Sequence, residues 1–386
     1  MEFDQNINAL FVCDNASYGA PADQILNPVF DDPDVAIPPC LGKPKEGQMI
    51  GTKAERLSEI SGRVCYDSLG KKESRTSEAY HKHIQEVGHG SVYEHPNVTV
   101  QITLDRKDDQ INLLLSLLNR PGLCVYPTTK RGEFRVSLNF RSIMEWYTWS
   151  ETFFAQRLGS SIRDAVRPLA QKIVGVNQIV AYSELACSIQ LVPPVLQEEK
   201  WISMYLSGGR GFSHEMVRHG DRSAISQRSS RFCDENESPW IEHPLITKFC
   251  SESDIQMSKV DYFLRDMRAQ TSNSCKEGYK YTVKALQDYL IEKGVDKTTA
   301  RKQARGAARN DLGNGLFTEM IFSASVAQWH RIFKQRGSVF ADAEIRRVAV
   351  LALAQIKEKS AFAKDFENID LIPSPDGIGQ VMSWRV

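Results

Sequence analysis

The chain has 386 residues, with 48 lysines plus arginines against 48 aspartates plus glutamates, so its formal net charge is zero. That balance excludes a protein that coats nucleic acid or an anionic membrane, because binding phosphates over a whole surface leaves a basic excess. Apolar residues at 41% and charged residues at 25% are the mixture of a core-forming globular protein, and the length exceeds one typical domain.

No run of 18 apolar residues offers a membrane span, and the start of the chain is acidic and polar rather than signal-like, so a cytoplasmic location is expected. Eight cysteines without a CxxC pair suggest neither a zinc site nor a disulfide framework, and no metal is expected. In chain order, residues 20–48 hold six prolines and read as an extended surface arm, part of an N-terminal segment 1–48. Residues 53–87 read as helical, with Leu57, Ile60 and Val64 three and four apart. Residues 97–104 alternate β-branched and polar side chains, the pattern of a half-buried strand. An apolar helix is expected over 107–118, a Pro/Gly/Thr-rich connection over 119–132, and helix again over 133–175. A second strand is expected at 201–207, broken by Gly208, Gly209 and Gly211, with mostly helix from 260 to 359. The class is therefore α+β, with helices dominant.

The chain also resembles itself. Glu133, Ser137, Asn139 and Trp146 lie over Glu319, Ser323, Ser325 and Ile332, and Ile162-Arg163 lies over Ile345-Arg346. The strands at 97–104 and 201–207 precede these segments in the same order. An old duplication is expected, with one copy over 49–190 and a second over 191–386.

Two segments carry chemistry. Residues 218–232 pack four arginines, one histidine and four serines into an otherwise neutral chain. Guanidinium forks and interleaved hydroxyls suit an ordered phosphate shell better than a solvated basic face. The second is His89-Gly90-Ser91-Val92-Tyr93-Glu94-His95, immediately before the first strand. By themselves Glu94 and His95 read as a capping and core-edge pair. His81 and His83, two apart on a helix, do not face each other and make no metal site.

Together these segments resemble the flavin-dependent thymidylate synthase family, whose hallmark is Arg-His-Arg followed by Ser-x-Arg. Here Arg218-His219-Gly220 leads to Ser229-Ser230-Arg231, with Gly220 in place of the last arginine and a loop one residue longer. The upstream His-x-Ser/Thr-x-x-Glu-His of that family is similar to residues 89–95. Its later motifs are similar to Ala308-Arg309, Thr318-Glu319, Arg336 and Glu344-Ile345-Arg346. The resemblance covers about residues 50–105 and 200–360.

It implies a thymidylate synthase that makes dTMP from dUMP with FAD, NADPH and methylene-tetrahydrofolate. FAD contacts are implied for His89, Ser91, Glu94, Asn139, Arg141, Arg218, His219 and Gln227, with Arg222 taking the role vacated at Gly220. Contacts to dUMP are implied for Glu215, Arg218, Gln227, Arg228, Ser229, Arg231 and Arg309, and a catalytic place beside the pyrimidine for Arg336. The first half has His89 and Glu94 but no Arg-His loop, and the second half has the reverse. A fused pseudo-dimer sharing one mixed site is expected, assembled into a homo-oligomer, with small-molecule substrates and no nucleic acid polymer or membrane partner. A divergent pyrimidine-nucleotide enzyme with a different product, such as a hydroxymethylated base, and an inactive flavin- or nucleotide-binding relative are the alternatives. Cys65, Cys124, Cys187 and Cys233 read as packing residues rather than nucleophiles. Trp146, Trp149 and Trp329 read as core, and His243 and His330 as surface or packing residues.

Overall fold

The structure, a computed structural model, describes residues 6–16, 35–117, 123–149, 153–174, 187–252 and 258–383. The chain opens with β1 (Asn8–Asp14), α1 (Lys53–Tyr66) and α2 (Ser77–Glu86). Thr52 starts α1 with a reciprocal cap: its side chain accepts from the Glu55 amide, and Glu55 reaches back to the Thr52 amide. Within α1, a Cβ at Gly62 would lie 1.8 Å from the Tyr80 hydroxyl, so only glycine admits the close approach of α2. The first half continues through β2 (Asn97–Leu104), α3 (Lys107–Leu117), β3 (Leu123–Pro127) and β4 (Glu133–Asn139). It ends with α4 (Phe140–Trp149), α5 (Phe153–Val166), α6 (Gln171–Val174) and β5 (Cys187–Leu191).

The second half begins with β6 (Trp201–Gly209), α7 (Arg210–Met216) and β7 (Ser223–Gln227). Three helices follow, α8 (Pro244–Glu252), the long α9 (Ser258–Glu292) and α10 (Lys297–Ala308). Then come β8 (Phe317–Ser325), α11 (Val326–Arg336), α12 (Ala343–Lys359) and a hairpin of β9 (Ile369–Ile372) and β10 (Gln380–Ser383).

Two four-stranded antiparallel sheets carry the fold, ordered β5-β2-β4-β3 and β1-β6-β8-β7. They correspond strand by strand. Asn97 faces Asn139 as Trp201 faces Ser325, and Leu123 faces Leu138 as Ser223 faces Ala324. Asn139 and Ser325 also do the same local job, accepting from the amides of Ser142 at 2.8 Å and Gln328 at 3.2 Å to cap the following helix. The protein is α+β and contains two copies of one sheet-and-helix unit. Each copy has its own core, the first including Ile102, Val136, Trp146 and Ile162, the second Met204, Phe322, Trp329 and Leu353. No described helix is long and apolar enough to cross a membrane.

Several expectations are corrected. Residues 133–139 and 317–325 are strands, so the repeat spans a strand and its helix rather than helix alone. Phe134, Val136 and Leu138 alternate with polar neighbours and bury one face, which is a period of two. Residues 123–127, expected as connection, form an edge strand. Residues 8–14 are no arm, because β1 pairs with β6 at the edge of the second sheet. Over this edge lies α1, whose Leu57, Ile60 and Val64 pack with Val12, Tyr205 and Ile321. The start of the chain therefore completes the second copy, with α1 lying between the copies. Residues 20–34 of the expected arm lie outside the described residues.

Candidate functional site

The expected site residues fall into several groups, some of which include contacts between the two copies. Following α7, a 3-10 turn (Val217–His219) carries Arg218 and His219. Arg336, the last residue of α11, reaches into this turn. Its Nε donates to Nε2 of His219 at 2.9 Å, and its Nη1 donates to the Glu215 carboxylate. Because Nε2 accepts, the imidazole is neutral and carries its proton on Nδ1. Burial first, and the Arg336 charge second, hold the His219 pKa below its usual value. Gln328 of α11 donates to the His219 carbonyl at 3.2 Å and Ser223 does so at 2.9 Å, so the turn is fastened from two sides.

The second group is the loop after β7. The Ser229 amide donates to the Cys65 carbonyl at 2.9 Å, and the Arg228 amide to the Glu319 carbonyl at 2.8 Å. The Arg228 guanidinium lies 3.3 Å from Asp67, 3.4 Å from Glu235 and 3.3 Å from Glu319. Burial opposes its charge, but Glu235 and the other carboxylates outweigh burial and raise its pKa. A half-buried guanidinium ringed by three carboxylates is fixed in place and fastens the loop. Gln227 is also engaged, its amide nitrogen donating to Ser213 and Thr318, each at 3.0 Å.

Arg231 is exposed, its aliphatic stem running beside Gly306 of α10, one turn before the exposed Arg309. Arg210 joins them. Burial lowers its pKa, Glu235 works the other way, and the Arg309 charge lowers it further. No hydrogen bond or ion pair to the side chains of Arg218, Arg231 or Arg309 is seen among the described residues. Like charges near one another, as Arg210 and Arg309 are, cost free energy, and an anion beside them lowers that cost.

From the first copy, exposed His89 meets the hydroxyl of Tyr66 through Nδ1 at 2.8 Å. Ser91 is exposed on the 3-10 turn that follows (Gly90–Glu94). Glu94 and Arg141 are brought together at 2.5 Å, and Arg141 also binds Glu145 at 2.7 Å. The carbonyl oxygen of Asn139 is committed to its helix cap. Arg222, in a left-handed conformation at φ 50°, extends to the Tyr126 hydroxyl of β3 at 3.4 Å and so bridges the copies. His95 is buried between them, with Nδ1 2.8 Å from Ser323 Oγ and Nε2 2.9 Å from Ser226 Oγ.

Sequence reasoning missed Tyr66, Asp67 and Phe232, and read His95 only as a core-edge residue. Tyr66 and Asp67 lie outside the spacing patterns that mark chemistry, His95 and Phe232 stand at the ends of segments that do, and each acquires its role from a partner more than 20 residues away. A cavity of about 430 Å³ flanks Glu215, lined also by His214, Trp240, His243, Asp342 and Glu344. His243 pairs with Asp342, and His330 stacks on Phe366 with centroids 4.8 Å apart, so both are packing residues. Trp146 and Trp329 are buried in the two cores. Among the described residues no disulfide is seen, and no group of three or more His, Cys, Asp or Glu could hold a metal ion.

The chain is similar to known proteins over the same motifs. It is 32% identical over 174 residues to a flavin-dependent thymidylate synthase of Corynebacterium diphtheriae, covering 45% of this chain and 64% of that one. A flavin-dependent thymidylate synthase of Mycolicibacterium vanbaalenii is 29% identical over 181 residues, covering 47% and 66%. One of Corynebacterium efficiens is 31% identical over 166 residues, covering 43% and 61%. The chain thus spans slightly less than two thirds of the length of these relatives. The sequence model of the thymidylate synthase complementing proteins matches residues 49–107 and 198–360, stepping over the β3-to-β5 part of the first copy. With more than half of its length matched, on both sides of the site described above, the chain belongs to the thymidylate synthase complementing protein family.

Proposed function

We infer that the protein is a flavin-dependent thymidylate synthase, which reductively methylates dUMP to dTMP with FAD as cofactor and NADPH and methylene-tetrahydrofolate as co-substrates. The observation that carries this reading is the set of exposed guanidinium groups, Arg218 in the turn after α7, Arg231 in the loop after β7 and Arg309 after α10, none with a hydrogen bond or ion pair to a described residue. The names of the relatives support the flavin and the product.

A flavin dinucleotide presents an electron-poor ring and two phosphates, and the donors here suit it: Arg218, the Ser91 hydroxyl, His89 and Arg222. When bound, the flavin supplies the reduction that turns a one-carbon methylene unit into a methyl group. Ser229, Arg231 and Arg309 would take the nucleotide phosphate through charge-assisted hydrogen bonds. Arg336 is aimed before substrate arrives, because Glu215 and His219 hold two of its nitrogens. Fixed positive charge beside the pyrimidine favours loss of the N3 proton and makes C5 the nucleophile. An enzyme thiol is then unnecessary. Burial pushes the Cys65 thiol up to about 12 and that of Cys233 to about 11, which keeps both protonated and unreactive near neutral pH.

The exposed apolar side chains of α9, among them Tyr262, Phe263, Met267 and Tyr281, support a homo-oligomer, a dimer of the fused pairs. The deciding experiment is mass spectrometry of dUMP incubated with methylene-tetrahydrofolate, NADPH and the yellow, FAD-loaded protein. A methylated product is expected, and absence of any nucleotide product sinks the reading. A hydroxymethylated product would support the second reading, which Gly220 favours by removing an arginine from the Arg-His turn.

A further inference from the structure

We propose that Tyr66 is a positioning residue for His89, its hydroxyl selecting the imidazole tautomer and its ring tying His89 to the Ser229–Arg231 loop through Phe232. This rests on the reading of His89 and that loop as parts of one flavin and nucleotide site.

Tyr66 ends α1, where Asp67 turns the chain into the left-handed region at φ 46°. The phenol lies 2.8 Å from Nδ1 of His89, and the two rings stack with centroids 6.2 Å apart and planes 22° from parallel. Burial, with a smaller effect of Cys65, pushes the phenol up to about 12, so it keeps a proton that it can donate to Nδ1. A hydroxyl that donates to Nδ1 places the imidazole proton on Nε2 and leaves Nε2–H as a donor for a ligand.

On its other side Tyr66 meets the edge of Phe232, with centroids 4.9 Å apart and an interplanar angle of 77°. Phe232 directly follows Arg231, and α10 holds it in turn. Lys302 Nζ lies 4.5 Å from its ring centroid, and Arg305 Nη1 donates to its carbonyl at 2.6 Å. The Cys65 carbonyl, one residue before Tyr66, accepts the Ser229 amide at 2.9 Å. The end of α1 therefore touches both the His89 segment and the nucleotide loop, which come from different copies.

Two variants test this. Tyr66→Phe keeps the ring stack and removes only the hydroxyl, and Tyr66→Leu removes the stack as well. In 15N-labelled protein without flavin at pH 8, His89 is expected as the Nε2–H tautomer in the wild type and as a mixture in Tyr66→Phe. FAD affinity should weaken about three- to tenfold in Tyr66→Phe, the size of one hydrogen bond. In Tyr66→Leu the KM for dUMP should also rise, about tenfold, with a smaller change in kcat. A wild-type Nδ1–H tautomer, or a Tyr66→Phe tautomer equal to wild type, overturns the proposal. The tautomer needs neither bound flavin nor turnover, so a wild-type protein that binds no FAD counts against the flavin reading and leaves this result to stand or fall alone.

Discussion

Nδ1 of His95, in the first copy, lies 2.8 Å from the hydroxyl of Ser323, in the second. Its Nε2 is 2.9 Å from Ser226, and Ser323 continues the chain of hydroxyls to Ser203 at 2.6 Å. All these groups are buried, so this one imidazole satisfies the polar groups of both halves at their junction. Ser226 also belongs to β7, the strand that leads into Gln227, Arg228 and Ser229, so the same contact bears on the position of the candidate nucleotide loop.

His95 should make stability fall in acid. Burial lowers its pKa to about 3, well below the roughly 6.5 of an unfolded histidine. In the native state it stays neutral, while the unfolded chain takes up a proton below about pH 6.5. Its contribution is therefore complete above that pH and is lost as pH falls towards 3, by about 1.4 kcal/mol per pH unit. His81, with a pKa lowered to about 4 by burial, adds a parallel loss. Denaturant unfolding of wild type and His95→Gln between pH 4 and pH 7 should show a flatter profile for the variant. Parallel profiles would remove His95 from the account.

Arg228 and Arg231 should separate stability from binding. Arg228→Met leaves the buried Glu235 and Glu319 without their cation, and should cost about 3–5 kcal/mol of unfolding free energy. Arg231→Ala should leave the unfolding midpoint unchanged and weaken dUMP binding at least about tenfold, through loss of a charge-assisted bond to phosphate. Calorimetric binding and thermal unfolding of the two variants check both halves. Equal effects on stability would contradict the assignment of different roles.

Arg336→Lys should show that the fork matters as well as the charge. A lysine cannot bind both His219 and Glu215 in the observed geometry. A fall in kcat/KM of about 100-fold is expected, which is about 2.7 kcal/mol of transition-state stabilisation. Steady-state kinetics of Arg336→Lys and Glu215→Gln should then show similar losses. A Glu215→Gln enzyme with full activity would show that the pair does not aim the guanidinium.

Flavin stoichiometry tests the mixed site. The Arg-His turn occurs only in the second half and the His89 segment only in the first, so titration should saturate at one FAD per chain. Two FAD per chain would mean that each copy builds a site from its own residues.

The local patterns already legible in the sequence were the motif order, the three-and-four spacing of Leu57, Ile60 and Val64 in α1 and the alternation of β2. These depend on residues within one or two turns of each other, and short-range sterics and hydrogen bonding decide them. The repeat was visible too, although strand and helix within it were confused, since Phe134, Val136 and Leu138 supply too short an alternation to outweigh the helix that follows. The partner of β1 could be known only from the fold, because a strand's pattern says which face is buried and not which edge will bond to it. The same holds for the cations. Composition shows a neutral chain with a cluster of arginines at 218–231, but which of them is free depends on carboxylates brought in from elsewhere. Asp67, Glu235 and Glu319 converge on Arg228 and leave Arg231 exposed three residues later, a distinction that long-range packing alone creates.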